Sequence, residues 1–146
     1  MNGILKVKKL APAAILPTYG SEFSAGADLY ALLDCETTIL PGQMLMVPTG
    51  LAMEIPTGYA GLIFARSGLA SKKGLAPANK VGVVDADYRG EVKVALFNHS
   101  DKPQTVSPGE RIAQLVITPF YKAEFEECVD LSETKRSSGG FGSTGK

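Results

Sequence analysis

Residues 91–98 read "EVKVALFN", and this stretch decides the class of the fold. Val92, Val94 and Leu96 fall on one side of an extended chain, with Glu91, Lys93 and Ala95 on the other. A period of two belongs to a strand with one buried face, not to a helix. The same alternation runs through "LKVKK" (5–9), where Leu5 and Val7 oppose Lys6 and Lys8. Apolar runs of strand length follow: "LMVPTGLAMEI" (45–55), "YAGLIFA" (59–65), "KVGVVD" (80–85) and "RIAQLVITPFY" (111–121). Between them stand "PGQ", "PTG", "YRG" and "SPGE", all turn chemistry. Short strands at about 8–12-residue spacing with Gly/Pro turns predict an all-β jelly-roll-like sandwich or barrel.

One segment reads as helical, "RSGLASKKG" (66–74), with Ser67 as N-cap and Gly74 closing the turn in a left-handed conformation. It is too short to be a packing element. The apolar pattern stops near Thr134, so residues 1–133 read as a single β-domain and 134–146 as a flexible arm. The arm ends in "RSSGGFGSTGK" (136–146). Gly and Ser maximise backbone freedom, and one aromatic ring buries too little to offset that entropy.

A length of 146 residues fits one domain, and 45% apolar with 21% charged residues is ordinary globular composition. The formal net charge is zero. That excludes non-specific attraction to nucleic acid or anionic membrane, which needs a basic excess. An anionic ligand must be held by placed residues. The two cysteines, Cys35 and Cys128, are far apart and lack nearby His partners, too few for a structural zinc site. They read as free, semi-buried thiols of a reducing compartment. No run approaches the roughly 18 apolar residues of a membrane span, and the expected location is the cytoplasm.

Four stretches carry chemistry. In "SAGADLY" (24–30), Asp28 sits at the start of an apolar strand, where it either caps backbone N–H groups or serves a ligand. In "ARSGLA" (65–70), a cation, a hydroxyl and a glycine precede a helix start, which favours phosphate. Arg66 adds forked donors for phosphate oxygens, although a capped turn with a surface Arg explains the stretch equally. In "GVVDADYRG" (82–90), an apolar run leads into Asp85, whose partial desolvation would tune it towards general-base work. The structural alternative is a hairpin with "DYRG" as its turn. In "PGERIAQL" (108–115), Gln114 stands among apolar neighbours and needs a backbone or ligand partner.

In this order, "AGADLY … ARSGLA … GVVDADYRG … GERIAQL … RSSGGFGSTG" resembles the five motifs of the homotrimeric dUTPases, from about Lys6 to the end of the chain. The resemblance implies an all-β jelly roll, hydrolysis of dUTP to dUMP and pyrophosphate, and Mg²⁺ on the triphosphate. It implies that Asp85 activates the water attacking the α-phosphorus and that Tyr88 packs on the deoxyribose, leaving no room for a 2′-hydroxyl. Asn79, Gly82, Val83 and Val84 would read the uracil edge, with Lys93 contributing backbone on a returning strand. Arg66, Ser67 and Gly68 would form the phosphate cradle, and Gln114 would hold the α-phosphate. Asp28 would reach Mg²⁺ through its water shell, which suits a cation that dehydrates reluctantly. The arm would close over a neighbouring subunit's site: Phe141 on the uracil face, Arg136 on the γ-phosphate, and Gly142, Ser143 and Thr144 around the phosphates.

Three positions depart from the family's commonest pattern. Ala65 stands where Pro is usual, Ala86 occupies a variable place, and Ser137 replaces a Gly. A positive φ at Ser137 would cost roughly 1 kcal/mol. The rival readings are a dCTP deaminase-like enzyme of related fold, or a catalytically silent nucleotide-binding sandwich. Asp85, where the deaminase would carry Glu, and the Gly-rich arm weigh against the first, and the retained Asp85 weighs against the second.

Overall fold

The structure, a computed structural model, describes residues 3–140. The first half holds β1 (Lys6–Lys9), β2 (Thr18–Tyr19), β3 (Ala27–Tyr30), β4 (Thr37–Ile39), β5 (Met44–Pro48), β6 (Leu51–Glu54) and β7 (Tyr59–Phe64). Helix α1 (Ser67–Lys73) follows. Then come β8 (Leu75–Pro77), β9 (Gly82–Val84), β10 (Lys93–Asn98), β11 (Gln104–Val106) and β12 (Arg111–Pro119). The architecture is the all-β, jelly-roll-like sandwich with one short helix that the sequence predicts.

A five-stranded sheet in the order β2-β3-β12-β7-β9 forms one wall, and a three-stranded sheet β5-β10-β8 faces the core from another side. The pairs β1-β6 and β11-β4 complete the enclosure. Every strand pairing among the described residues is antiparallel, so each strand can bury alternate residues and wet the rest. In β10, Val94 and Leu96 are buried while Lys93 is exposed, and Val92 just before it is buried too. Leu29, Ile39, Leu51, Leu75, Leu96 and Ile112 come from six different strands, and all are at most 2% exposed. They belong to one contiguous cluster. Truncating one such leucine to alanine costs about 2–5 kcal/mol, so the sheets fold together or not at all.

The turns do what their residues allow. Gly42, Gly50, Gly58 and Gly109, in the "PGQ", "PTG" and "SPGE" turns, all have φ between 67° and 85°. At Gly50 the need is double, because an added Cβ would also lie 2.9 Å from Cβ of Ala14.

Four expectations are corrected. Strands β9 and β10 do not form a hairpin: β9 pairs β7, whereas β10 pairs β5 and β8. Residues 85–92 therefore cross between sheets, and "DADY" is a turn inside that crossing, closed by Tyr88 N–H donating to Asp85 O at 3.2 Å. The N-cap of α1 is Arg66, extended at φ −88° and ψ 129° and without a side-chain capping bond, while Ser67 is already helical. The Arg66 side chain is drawn off to Asp28 instead. Gly74 does close the helix as expected, at φ 66° with its N–H on Ala70 O. Cys35 and Cys128 are exposed rather than semi-buried, because both lie outside the strands. Asp85 is exposed, since β9 ends on buried Val84 and the chain leaves the sheet at the next residue.

Among the described residues, regular structure ends at Pro119. Residues 121–138 are exposed, among them Tyr121, Phe125 and Val129, each at least 90%.

Candidate functional site

Most of the predicted residues gather into two clefts, with Gly68 lining neither. The first, about 420 Å³, is lined by Asn79, Gly82, Val83, Val84, Asp85, Tyr88, Glu91 and Lys93 among others. The second, about 410 Å³, is lined by Gly26, Asp28, Phe64, Arg66, Ser67, Arg111 and Gln114 with a few neighbours. No residue lines both.

In the first cleft, β9 is the edge of the five-stranded sheet. Its pairing with β7 uses one row of backbone groups. The other row, on Gly82–Val84, is left to meet a ligand with donors and acceptors along one edge. Gly82 permits close approach, since an added Cβ would lie 3.2 Å from Nδ2 of Asn79. Asp85 stands at the mouth of this cleft, open to water. Tyr88 leans over Gly90, and its hydroxyl donates to Glu91 O at 3.0 Å. An added Cβ at Gly90 would stand 2.6 Å from Cζ of Tyr88, so the glycine is required by the ring above it.

The second cleft is built by register. Gln114 on β12 pairs opposite Asp28 on β3 and opposite Phe64 on β7, so all three share one face of the sheet. Asp28 is 8% exposed and must have charged partners. It has two: Arg66 Nε at 2.6 Å and an Arg111 guanidinium nitrogen at 3.3 Å. The cluster keeps a net positive charge beside the first turn of α1. There the N–H groups of Ser67 and Gly68 have no partner within the helix. The Gln114 amide donates to Ala65 O at 2.8 Å, so its partner is backbone. It ties β12 to the turn before α1.

Arg111 was not among the residues singled out from the sequence. Arg111 and Gln114 have opposite parity and should face opposite sides of a regular strand. An irregularity between Arg111 and Ala113 places Arg111 opposite Tyr30 and Gln114 opposite Asp28. Tyr30 and Asp28 share a face, so the two β12 side chains do too. The sequence offers one signal for it, an acid (Asp28) at the start of an apolar strand that needs cationic partners once it is buried.

The strand β7 separates the clefts. Ile63 lines the first and Phe64 the second, and the first follows the free edge of β9, which lies beyond β7 from the strands β3 and β12 that carry the second. Gly82, opposite Ile63, belongs with the first cleft.

Arg136 lines neither cleft. Its Nε donates to Gly139 O at 2.8 Å within the arm, and Ser137 holds φ 46°, the positive angle anticipated for a glycine place. Phe141, Gly142, Ser143 and Thr144 lie outside the described residues. Among the described residues no three His, Cys, Asp or Glu side chains form a metal-binding group. A lone carboxylate already held by two arginines does not chelate a divalent cation. It fits an outer-sphere acceptor for a cation that arrives on a ligand.

A family model described as dUTPase matches residues 13–145. The deoxyuridine 5′-triphosphate nucleotidohydrolase of Syntrophotalea carbinolica is 50% identical over 141 residues, covering 97% of this chain and 96% of its own. The dUTPase of Staphylococcus bacteriophage 80alpha, solved with dUPNHPP, matches at a TM-score of 0.90 and 28% identity, covering 99% of this chain and 100% of that one. A mutant dUTPase from phage phi11 of S. aureus, solved to describe the coordination of a structural Mg(II) ion, matches at a TM-score of 0.76 and 25% identity. It covers 88% of this chain and 98% of its own.

Proposed function

The chain belongs to the dUTPase family and is a dUTP diphosphatase, and we infer that it cleaves dUTP at a site assembled from more than one copy of itself. The observation that carries this reading is the division of the predicted residues between two separate clefts of one chain, with no residue lining both. In this reading the base-and-water half offered by one chain meets the phosphate half offered by another. A homotrimer with closed symmetry repeats that contact at every site.

The base half reads uracil by the free edge of Gly82–Val84, with Asn79 beside it and the Lys93 backbone behind. Tyr88 lies against the deoxyribose and leaves no space for a 2′-hydroxyl. Asp85 takes a proton from a water, and the water oxygen attacks the α-phosphorus. The bond from that phosphorus to the bridging oxygen breaks, giving dUMP and pyrophosphate. An exposed carboxylate suits this role once the second chain and the arm cover it, because closure removes the competing bulk water.

The phosphate half uses Arg66, Arg111 and the N–H groups of Ser67 and Gly68 against the triphosphate, with Gln114 at the α-phosphate. Mg²⁺ carried on the phosphates would neutralise part of their charge, and Asp28 would be the residue that accepts from its water shell. The arm from about Thr134 supplies Arg136 at the γ-phosphate, Phe141 over the uracil, and Gly142, Ser143 and Thr144 around the phosphates. Two exposed free thiols fit a reducing cytoplasm. Among the described residues no helix is long and apolar enough to cross a membrane.

One experiment tests both the base and the sharing. Asp85→Asn and a chain truncated after Lys135 should each be inactive, the first losing about 10²–10⁴ in kcat. Unfolded together in equal amounts and refolded, they should regain activity at roughly ½ × ½, about a quarter, of their sites. An Asp85→Asn protein with wild-type kcat removes the base assignment. Mixed trimers that stay inactive place base and arm in the same chain.

A further inference from the structure

Glu91 belongs to no motif role above, yet it lines the first cleft and links its two most sensitive parts. Its carboxylate Oε1 accepts Gly50 N–H at 2.9 Å, and Oε2 lies 3.4 Å from Lys93 Nζ. Its main-chain carbonyl accepts the Tyr88 hydroxyl at 3.0 Å. One residue thus holds the tyrosine at one end and grips the β5–β6 turn at the other.

That turn is a rigid anchor. Gly50 sits at φ 67°, against Leu32 and Ala14, and its carbonyl accepts Leu10 N–H at 2.7 Å. The next residue along, Val92, is fastened to the same turn: its N–H donates to Leu51 O at 2.8 Å and its carbonyl accepts the Thr49 hydroxyl at 2.6 Å. Tyr88 itself is 46% exposed, so packing alone does not fix its ring. What fixes it is Gly90 beneath and the Glu91 carbonyl at its hydroxyl.

We propose that Glu91 is a specificity-positioning residue. By gripping Gly50 it sets the carbonyl that receives Tyr88, and so sets how closely the ring approaches the sugar. This rests on the reading of Tyr88 as the group that excludes a 2′-hydroxyl. Glu91 touches no reacting atom in that scheme, and its effect must appear in the choice between sugars rather than in phosphorus chemistry.

The test is the ratio of kcat/KM for dUTP to that for UTP, which does not depend on the fraction of protein folded. Glu91→Ala should lower the ratio about tenfold, through a better KM for UTP, while kcat for dUTP stays within about threefold of wild type. Glu91→Gln keeps an oxygen that accepts from Gly50 and should restore the ratio. Tyr88→Phe removes the hydroxyl but keeps the ring and should match Glu91→Ala. The double variant should fall no further than either single one, because both break one chain of contacts. If Tyr88→Ala lowers the ratio and Glu91→Ala does not, Glu91 has no positioning role. If Tyr88→Ala itself leaves the ratio unchanged, the sugar is chosen elsewhere and the reading of Tyr88 falls first. A Glu91→Gln variant as unselective as Glu91→Ala also overturns the proposal as stated, because charge and not the bond to Gly50 would then be responsible.

Discussion

Gly26 joins three of the chemically important stretches without contributing a side chain, and replacing it with alanine isolates that junction. Its φ lies outside the positive range, so the substitution brings no backbone strain of that kind. It brings a collision. The new Cβ would run into Oε1 of Gln114 and stand 3.0 Å from Cδ and 3.2 Å from Cβ of the same side chain. Rotation of the side chain relieves the contact with the amide oxygen but not the contact with Cβ, because Cβ is fixed to β12. Gln114 must move and give up its bond to Ala65 O, which is 2.8 Å long now. Losing that bond costs about 1 kcal/mol, and forcing a half-buried side chain aside adds about 1–3 kcal/mol. The sum, about 2–4 kcal/mol, lowers Tm by about 5–15 °C in a chain of this size. Activity should fall further, since the proposed reading puts Gln114 at the α-phosphate and Arg66 beside the phosphates; a misplacement near 1 Å costs about a hundredfold in kcat/KM. Calorimetry and pyrophosphate release measured on one preparation check both figures. Gly26→Ala with wild-type Tm and wild-type kcat/KM would refute the claim that this glycine clears space for the amide.

Other substitutions separate charge, strain and burial. Asp28→Asn should leave the two guanidinium groups less compensated, lowering KM for dUTP about threefold while kcat falls about tenfold, as steady-state kinetics will read. Stability should drop only about 1–2 kcal/mol, since Arg66 and Arg111 are 25% and 52% exposed and screened by water. Lys80 holds φ 66°; Lys80→Gly should relieve about 1–2 kcal/mol of strain against about 0.5–1 lost to backbone entropy. The net is a Tm rise of about 1–4 °C in differential scanning, and a fall would contradict it. Asn98 is fully buried and bonded to Ile39 O, Lys102 O and both the N–H and hydroxyl of Ser100. Asn98→Ala should cost about 3 kcal/mol in urea titration while kcat of the folded enzyme is unchanged.

The strands were legible because burial in this protein is periodic. Val92, Val94 and Leu96 could be assigned to the core from their spacing, and Gly74 could be assigned to a helix end from its lack of a Cβ. Pairing was not legible. Nothing in "GVVDADYRGEVKV" distinguishes a hairpin from a crossing between sheets, because both present an apolar strand, a turn and another strand. The choice is made by what each strand finds to pair with, Gly61–Ile63 for β9 and Met44–Pro48 for β10. The exposure of Asp85 follows from the same crossing. A hairpin would have kept it beside a returning strand, whereas the crossing carries it out past the end of Val84.

The site was legible as residue types and not as geometry. Arg66, Asp28 and Gln114 announce themselves as a cation, an acid and an amide in apolar company. The third partner, Arg111, was hidden by parity, since one irregular step in β12 moves it to the face a regular strand would deny it. Glu91 was hidden for the opposite reason. Its place in the alternation is an ordinary outward one, and an outward acid on a strand needs no explanation. Only the fold brings the Gly50 turn to its carboxylate and the Tyr88 hydroxyl to its carbonyl. Motifs mark residues that touch the substrate. The residues that hold those contacts in place are chosen by neighbours from distant parts of the chain, and their spacing carries no period to read.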